Sequence, residues 1–465
     1  MTIKITNTSI QKVVESDRFE PRYHYVFNKF DEYERSSKYK ILRFGDKKIL
    51  KRITDGEHAG QIFVEKGVRF VKNSAVKDFI INLFDGYYIT EEKHKLQKRS
   101  ALKPLDILFT TIGHLGSSAI VPQNFGEANI NQNVVKIEID TNFINPYYLT
   151  VYLNSNTTKK QIAALFTGNI HSIITYPKIR NIRIIIPDKS FENKIANKYK
   201  KAIELDQKCH IILNEAQDYF YKKLDIEFSK IKKESFFSVN LASFSETDLW
   251  IPAYSFPLYV NTLNAIKKKW QTVSLGKLVS SKKGDEVGSI NYNKYLDKKS
   301  TDIPFIRTSD LVNYEADLYP DFFIPEEIYQ ELKQDVKSGD VIYTKDGKVG
   351  MSAMITKNDK AVIGSGIVRL RLKTEAKKYN VTPEYLFIIL SLKETGIYPA
   401  IRRTVVASTI PHLREERLKE FEIPILDKES IVEITKRVSE AFKLKDEKKR
   451  LIKEIREEMD SYFDF

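Results

Sequence analysis

The chain has 465 residues, of which 42% are hydrophobic and 30% charged, a balance typical of folded proteins rather than of disordered ones. Its 76 lysines and arginines outnumber its 62 acidic residues, which leaves a net charge of +14. Such an excess favours polyanionic partners, although soluble basic proteins without a nucleic-acid role share it. The single cysteine, Cys209, excludes an internal disulfide framework and a cysteine-based zinc site.

The beginning of the chain and its apolar runs argue against a membrane protein. The segment MTIKITNTSIQKVV at the start lacks the apolar core of a signal peptide. The longest apolar runs, such as YLFIIL at 385–390, are too short to span a bilayer. The seven histidines include no His-x-x-x-His pair. We therefore expect a cytoplasmic protein with no membrane segment and no metal site.

In chain order, the first half of the sequence contains a series of motifs that the second half repeats. The matched segments are FEPRY (19–23) with WIPAY (250–254), GVRFVKNSAV (67–76) with DIPFIRTSDL (302–311), YYITEE (87–92) with FFIPEE (322–327), LKPLDILFTTIGHLGSSAIV (102–121) with VKSGDVIYTKDGKVGMSAMI (336–355), NPYYL (145–149) with TPEYL (382–386), HSI (171–173) with STI (408–410), and IIIP (184–187) with FEIP (421–424). The offset drifts only from 231 to 239. An ordered series of this kind predicts two copies of one domain rather than a solenoid of short repeats.

Each copy changes character at its Ile-Pro dipeptide. Before that point, short alternating apolar runs separated by glycine and aspartate predict strands and hairpins, with a two-residue turn at Asp346-Gly347. After it, the pattern becomes helical. Asp188 and Asp427 are placed to cap the helix starts, with Glu192 and Glu429 in the first turns.

Two long helices are predicted, from about 190 to 231 and from about 428 to 463. Their apolar residues recur at spacings of three and four, which favours a narrow seam against a partner helix. We expect the two seams to pair antiparallel as a spacer, and Cys209 to be buried in the seam as a packing residue. The predicted seam consists of Ile195, Ala202, Leu205, Cys209, Ile212, Ala216, Ile434, Ala441, Leu444, Leu451 and Ile455.

These patterns predict an α+β protein with two tandem, pseudo-twofold-related domains. Each domain contains mixed and antiparallel strands with helices, and two long antiparallel coiled-coil helices separate the domains. The predicted boundaries are 1–187 for the first domain, 188–232 for the central spacer helix, 233–424 for the second domain and 425–465 for the C-terminal spacer helix.

No catalytic site is predicted. NPYY at 145–148 approaches the Asn-Pro-Pro-Tyr motif of amino-methyltransferases, but its second proline is missing and the other copy reads TPEY at 382–385. The shared Pro-x-Tyr-Leu is better interpreted as a helix start with a buried face. Gly113-x-x-Gly116 and Gly347-x-x-Gly350 lack the Lys-Ser/Thr of a phosphate loop and predict hairpin turns. We expect neither a catalytic residue nor a cofactor bound by this chain.

The order of motifs resembles the DNA specificity subunit of type I restriction-modification systems. The motifs that carry the resemblance are FIRTSD (305–310), GDVIYT (339–344) followed by Gly-x-x-Gly, PEYL (383–386) and STIPHL (408–413), then a long helix, with the whole set present in two copies. The resemblance covers essentially the full chain and is sharpest in residues 268–465. The family's Glu-Gln after the proline is replaced by Glu192-Asn193 and Glu429-Ser430, a change local to the helix starts. The first copy also has NIHSI at 169–173 in place of Ser-Thr-Ile.

The resemblance implies a non-catalytic subunit for phage defence in which two target recognition domains, 1–187 and 233–424, each bind one half of a bipartite double-stranded DNA site. It also implies that the helices dock two methyltransferase subunits, in which S-adenosylmethionine is expected, and it leaves open whether motor-nuclease subunits join. Two alternatives stand beside it: a specificity subunit for a type II-like methyltransferase-nuclease, and a coiled-coil interaction scaffold that does not bind DNA.

Polar and basic residues in the predicted loops are the candidates for contacting DNA bases in the major groove. In the first domain they are Arg69, Lys72, Asn73, Thr111, His114, Asn169 and His171. In the second domain they are Arg307, Thr308, Lys345, Lys348, Arg402, Arg403 and Thr404.

Overall fold

The structure, a computed structural model, describes residues 6–58, 60–83, 86–166, 173–234, 236–240, 248–286, 302–332, 334–406 and 409–463. It divides into two compact units. Unit 1 comprises Met1–Glu204 and Lys448–Phe465, and unit 2 comprises Leu205–Glu447. Each unit therefore contains a globular part together with a segment of each long helix.

Unit 1 contains nine of the described strands, and they form three sheets. The strands are β1 (Lys40–Arg43), β2 (Leu50–Asp55), β3 (Val68–Val71), β4 (Tyr87–Ile89), β5 (Ile107–Thr110), β6 (Ser118–Ile120), β7 (Ala128–Ile130), β8 (Val134–Ile139) and β9 (Arg183–Ile186). The sheet orders are β2-β8-β5-β6, β4-β3-β7 and β1-β9. All pairs are antiparallel except β3 with β7, which is parallel.

Unit 2 repeats those three sheets and adds two short hairpins. Its strands are β10 (Thr272–Ser274), β11 (Val279–Lys283), β12 (Ile303–Ile306), β13 (Leu311–Val312), β14 (Glu315–Ala316), β15 (Phe323–Ile324), β16 (Val341–Thr344), β17 (Ser352–Met354), β18 (Val362–Ile363), β19 (Ile367–Leu372), β20 (Val405–Val406), β21 (Pro411–His412) and β22 (Glu422–Pro424). The repeated sheets are β11-β19-β16-β17, β15-β12-β18 and β10-β22, and the hairpins are β13-β14 and β20-β21. Among the described strands of unit 2, β12 and β18 pair in parallel, as β3 and β7 do in unit 1. The predicted duplication is confirmed by the sheet topology, including this parallel pairing of described strands.

Short helices flank the sheets and two long helices follow them. The helices of unit 1 are α1 (Ile10–Ser16), α2 (Pro21–Ser36), α3 (Glu91–Leu96), α4 (Pro146–Asn154), α5 (Asn156–Leu165) and α6 (Tyr176–Arg180), followed by the first long helix, α7 (Lys189–Leu224). Those of unit 2 are α8 (Pro252–Ser255), α9 (Pro257–Lys269), α10 (Leu275–Leu278), α11 (Glu326–Leu332), α12 (Pro383–Ser391), α13 (Tyr398–Arg403) and α14 (Glu415–Lys419), followed by α15 (Lys428–Tyr462). The mixed helix and strand content confirms the predicted α+β class.

The two long helices run antiparallel along each other. In unit 1, the Lys198 ammonium lies 3.0 Å from a carboxylate oxygen of Glu454 and 2.7 Å from one of Glu458. In unit 2, Arg437 lies 3.4 Å from Glu215. As the residue number rises along α7, the number of the contacting residue in α15 falls, which is the predicted antiparallel direction.

The starts and ends of the long helices follow local chemistry. The Asp188 carboxylate accepts the backbone N–H of Phe191 at 2.9 Å, and that of Asp427 accepts the N–H of Ser430 at 2.8 Å. These N–H groups would otherwise lack a partner in the first turn of a helix. Helix α7 ends at Leu224, short of the predicted end near 231. The next residue, Asp225, has a φ of 50°, a left-handed conformation that stops the helix.

The predicted seam residues are buried, except for Leu444, which is partly buried. In unit 2 they do not face only the other long helix. Cys209, Ile212 and Ala216 of α7 share one core with Ile434 and Ala441 of α15 and with the apolar residues of α12, Tyr385–Leu390, all of which are fully buried. In unit 2 the long helices therefore pack against the domain core as well as against each other.

The match of the two Ile-Pro dipeptides in sequence does not hold in structure. The Tyr148 hydroxyl donates to the carbonyl of Ile185 at 3.0 Å, whereas that of the equivalent Tyr385 donates to the carbonyl of Pro424 at 2.9 Å. Ile185 thus corresponds to Pro424, an offset of 239 rather than 237. The match of HSI with STI shifts by the same two residues. Ile173 bridges to Ile112 in unit 1, and His412 bridges to the equivalent Asp346 in unit 2. Unit 2 gains these residues after α12, where a π-helical turn and α13 replace α5.

None of the helices within the described ranges combines the length and the apolar character that a membrane crossing requires.

The Tyr385 hydroxyl fixes the last strand of unit 2 to α12, since it also accepts the N–H of Leu426 at 3.2 Å. Replacing Tyr385 by phenylalanine leaves two buried backbone groups without this partner. We expect the Tyr385→Phe variant to lose about 1–3 kcal/mol of unfolding free energy, measured by urea denaturation. Tyr329→Phe, which changes a partly exposed ring, is the matched control. An unchanged urea midpoint for Tyr385→Phe would contradict this role.

Candidate nucleic-acid interface

Each unit contains a glycine hairpin, at residues 110–117 in unit 1 and 344–351 in unit 2. A threonine opens each hairpin and bonds across it. Thr110 accepts the N–H of Ser117 on its hydroxyl at 3.0 Å, and Thr344 accepts that of Met351 at 2.9 Å. The predicted turn glycines have positive φ, for example 81° at Gly113 and 66° at Gly347, a conformation that favours glycine. The two glycine hairpins therefore share one backbone and differ in their side chains.

In unit 2, the glycine hairpin and three other segments of the chain lie together. The N–H of Lys345 donates to the carbonyl of Gly366 at 2.8 Å, and its carbonyl accepts the N–H of Leu413 at 2.7 Å. The N–H of Gly347 donates to the carbonyl of Pro411 at 2.9 Å. A Cβ atom on Gly366 would lie only 2.8 Å from the Thr308 methyl group, so the fourth segment, around Thr308, packs closely against Gly366. We call this set, residues 307–309, 345–349, 364–366, 404–406 and 409–413, the loop cluster of unit 2.

The polar centre of the loop cluster is Asp346. One of its carboxylate oxygens accepts from the Lys345 ammonium at 2.8 Å, and the other contacts Nδ1 of His412. The Lys345 side chain is almost fully buried, whereas that of His412 is 45% exposed. Lys345 therefore neutralises Asp346 from inside, while His412 and the outer edge of Asp346 face solvent.

Arg307 is held by acidic neighbours. Its guanidinium lies 3.0 Å from the Asp310 carboxylate and 2.9 Å from that of Asp321. It also covers the Phe322 ring at 4.4 Å from the ring centre. Burial opposes the charge, but the two carboxylates outweigh it and the pKa of Arg307 is raised. The donors that we expected to read bases are engaged within the domain.

The three candidates at the end of α13 also make internal contacts. The Nε of Arg402 donates to the Tyr254 carbonyl at 2.6 Å, and the Nε of Arg403 lies 3.2 Å from the Glu420 carboxylate. The Thr404 hydroxyl donates to the carbonyl of Ala400 at 2.8 Å. Burial first, and then the neighbouring Arg403, lowers the pKa of Arg402. Through these contacts the three side chains bind other parts of the domain and stabilise the end of α13.

In unit 1, Asn73 lies beside the glycine hairpin. Its amide nitrogen donates to the carbonyl of Ile112 at 3.3 Å. His114 of the hairpin lies 3.4 Å from the Lys77 ammonium. Thr111, in contrast, is buried and donates to the Asn133 carbonyl at 3.1 Å, so its hydroxyl faces the interior.

Two cations of β3 and its end lie on aromatic rings. The Lys72 ammonium is 3.3 Å from the centre of the Tyr87 ring and 4.6 Å from that of Phe63. Arg69 donates to the Leu83 carbonyl at 3.2 Å and lies near the Phe125 ring. Two other candidates, Asn169 and His171, lie outside the described residues.

The structure thus groups Asn73 and His114 at the surface of unit 1, and Thr308 and Lys348 at the surface of unit 2. It adds residues that the sequence interpretation missed: Asp346, His412, and the exposed Val406 and Ile410. The STIPHL motif contains two of these four residues, but the interpretation chose Arg402, Arg403 and Thr404 beside it instead. In the described parts of the chain, no group of three or more histidine, cysteine, aspartate or glutamate side chains is arranged to hold a metal ion.

In comparison with known proteins, the second copy matches one family model. Residues 267–457 match the family described as Type I restriction modification DNA specificity domain. This range covers most of unit 2 and extends into α15. No curated protein matches the sequence.

Three solved structures are similar over nearly the whole chain at low identity. The S subunit of a type I restriction-modification system from M. genitalium is 14% identical, covering 92% of this chain and 94% of that chain, with a TM-score of 0.33. A structure concerning assembly and conformational transition of the type I R-M system is 14% identical, covering 92% and 96%, with a TM-score of 0.29. The HsdS subunit from Thermoanaerobacter tengcongensis is 15% identical, covering 90% and 96%, with a TM-score of 0.28.

Buried and exposed basic residues in and beside the loop cluster should respond differently to truncation. We expect Arg403→Ala to lower the unfolding free energy by about 1–3 kcal/mol because a buried, hydrogen-bonded guanidinium is lost. Lys348→Ala, on the exposed hairpin turn, should cost less unfolding free energy than Arg403→Ala and should weaken binding to duplex DNA. Lys268→Ala, an equally exposed lysine on α9, is the control. The assignment is wrong if Lys348→Ala binds DNA as tightly as Lys268→Ala in parallel gel-shift titrations.

Proposed function

We propose, from the type I restriction modification DNA specificity domain in residues 267–457, that the whole chain is the DNA specificity subunit of a type I restriction-modification complex. The observation that carries the proposal is the duplication. Unit 1 repeats the three sheets, the parallel pair and the glycine hairpin of the matched domain. A chain that contains the DNA specificity fold twice is suited to binding two DNA segments.

The proposed sites combine equivalent backbones with different side chains. Asn73, Ile112 and His114 of unit 1 occupy the places of Thr308, Asp346 and Lys348 of unit 2. Each base pair presents its own pattern of donors, acceptors and methyl groups in the major groove. Different side chains at equivalent positions would therefore select different base pairs, so that each unit reads its own half of a bipartite site.

Basic charge supports binding to the phosphate backbone. The net charge of +14 favours duplex DNA by releasing its counterions. Contacts to phosphates position a protein on DNA without specifying sequence. We assign this part to exposed lysines such as Lys348, and assign base contacts to the polar edges of the loop clusters.

The proposal includes no chemistry by this chain. Methyl transfer would belong to two methyltransferase subunits docked on α7 and α15, which would supply S-adenosylmethionine. Motor-nuclease subunits would add DNA cleavage where they are present. The role of the chain is then to choose the DNA sequence, in the cytoplasm, on which its partners act.

Methylation mapping tests the proposal directly. A host that expresses this chain with the methyltransferase encoded beside it should show methylation at one interrupted motif, two short specific halves with a fixed gap. The matched control expresses the methyltransferase without this chain and should lack that motif. An uninterrupted motif, or the same motif in the control host, would contradict the proposed role.

The long helices provide a second test, because the proposal makes their length set the gap. Adding seven residues to both α7 and α15 lengthens each helix by about 10 Å, or roughly three base pairs of duplex at ~3.4 Å each. The methylated motif should keep both halves and gain about three unspecified pairs. A heptad in only one helix is the control, since it breaks the antiparallel match and should abolish methylation. A gap that stays constant in the double insertion would show that the helices do not set it.

A further inference from the structure

The hairpin β20-β21 carries two exposed aliphatic side chains. Val406 is 61% exposed and Ile410 is 59% exposed. Single exposed apolar residues are common on protein surfaces. Here two of them lie on one short hairpin, beside the polar loop cluster, in a region that matches a DNA specificity domain.

The base of this hairpin is fixed to the rest of the loop cluster. The carbonyl of Pro411 accepts the N–H of Gly347 at 2.9 Å, and the N–H of Leu413 donates to Lys345 at 2.7 Å. His412 contacts the Asp346 carboxylate. Val406 pairs with Pro411 in the ribbon. The aliphatic residues therefore project from an anchored two-stranded ribbon.

The shape and surroundings of the ribbon favour the major groove. A two-stranded β-ribbon is one of the elements that this groove admits. Lys348, His412 and Ser365 lie in the same loop cluster and provide polar groups for phosphates and base edges. Among the base edges in the major groove, the apolar group is the C5-methyl of thymine, which cytosine lacks. An aliphatic contact with this methyl group therefore distinguishes a T·A pair from a C·G pair. Polar contacts to the rest of the base pair would come from other residues.

We propose that Val406 and Ile410 read thymine by packing against its C5-methyl group in the half-site bound by unit 2. The inference rests on the proposed function and adds to it the chemical group that this hairpin recognises. It requires at least one T·A pair in that half-site. It assigns base reading to this hairpin rather than to Arg307, Arg402 and Arg403, whose contacts are internal.

The test removes either the thymine methyl group or the aliphatic side chain that is proposed to contact it. Once methylation mapping has given the motif, each thymine is replaced in turn by deoxyuridine, which differs only by the methyl group. Competition binding is measured with the complex of this chain and its methyltransferase subunits. We expect one or more replacements within one half-site to weaken binding by roughly fourfold, the effect of exposing one methyl-sized group.

The same replacements are then measured with Val406→Ala and Ile410→Ala. At the thymine that each residue contacts, the variant should bind thymine and uracil duplexes within roughly a factor of two of each other. Val14→Ala, the same truncation at an exposed valine of α1, is the control and should keep the full discrimination. Thermal unfolding should not change in either variant, because both side chains are exposed.

The outcomes are distinguishable. Sequence-specific binding without any effect of uracil, or with an effect that both variants retain, overturns this inference and leaves the proposed function intact. Equal losses on thymine and uracil duplexes in the variants would indicate an apolar wedge between base steps and would also overturn it. A complex that does not distinguish its motif from scrambled DNA removes both this inference and the proposed function.

Discussion

The burial of the long helices against the domain core is the constraint on which unit 2 depends. Their apolar faces are covered by α12, whose six residues Tyr385–Leu390 are fully buried. The same core includes Tyr343 of β16, the strand that leads directly into the glycine hairpin. The Tyr343 hydroxyl donates to the Gly396 carbonyl at 3.0 Å, in the π-helical turn after α12. One continuous packed core thus joins the helices to the base of the loop cluster. Because such cores are close-packed, a displacement of the helices would be felt at the loops.

Desolvation governs the basic residues in and beside the loop cluster. A buried cation is expensive unless a carboxylate or several acceptors satisfy it. Lys345, Arg307 and Arg403 meet this condition through Asp346, Asp310 and Glu420. Their charges hold segments together, and the residual positive potential at the surface comes from residues that remain exposed. A basic composition therefore says little about which basic residues reach a ligand.

Sequence patterns predicted the features that are set locally or by simple periodicity. The duplicated topology, the caps at Asp188 and Asp427, and the glycine turns follow from short motifs whose geometry is fixed by nearby atoms. The burial of Cys209 follows from helical spacing. These features need no knowledge of distant segments.

Features that depend on distant segments were not accessible in the same way. The partners of Arg307 and Arg403 include Asp321 and Glu420, whose proximity appears only in the folded chain. The two Ile-Pro dipeptides align in sequence, but two inserted residues place them at different positions of equivalent strand pairs, because backbone pairing does not depend on these side chains. The cover of the seam by α12 was missed because a helical pattern shows which face is buried and not what buries it.

One pair of equivalent positions shows how the two copies diverged in chemistry on a common backbone. At the base of the glycine hairpin, unit 1 bridges Ile112 to Ile173, and unit 2 bridges Asp346 to His412. The backbone bonds are the same, since the N–H of Ile174 donates to Thr111 at 3.1 Å and that of Leu413 to Lys345 at 2.7 Å. The aliphatic pair of unit 1 brings no charge to this junction and leaves Ile173 partly exposed to solvent. A carboxylate–imidazole pair stabilises the junction through a charge-assisted hydrogen bond and then needs Lys345 to balance the buried side of Asp346. The exchange replaces an apolar edge by a polar one at the same place, so the chemistry of this surface differs between the two units on an equivalent backbone.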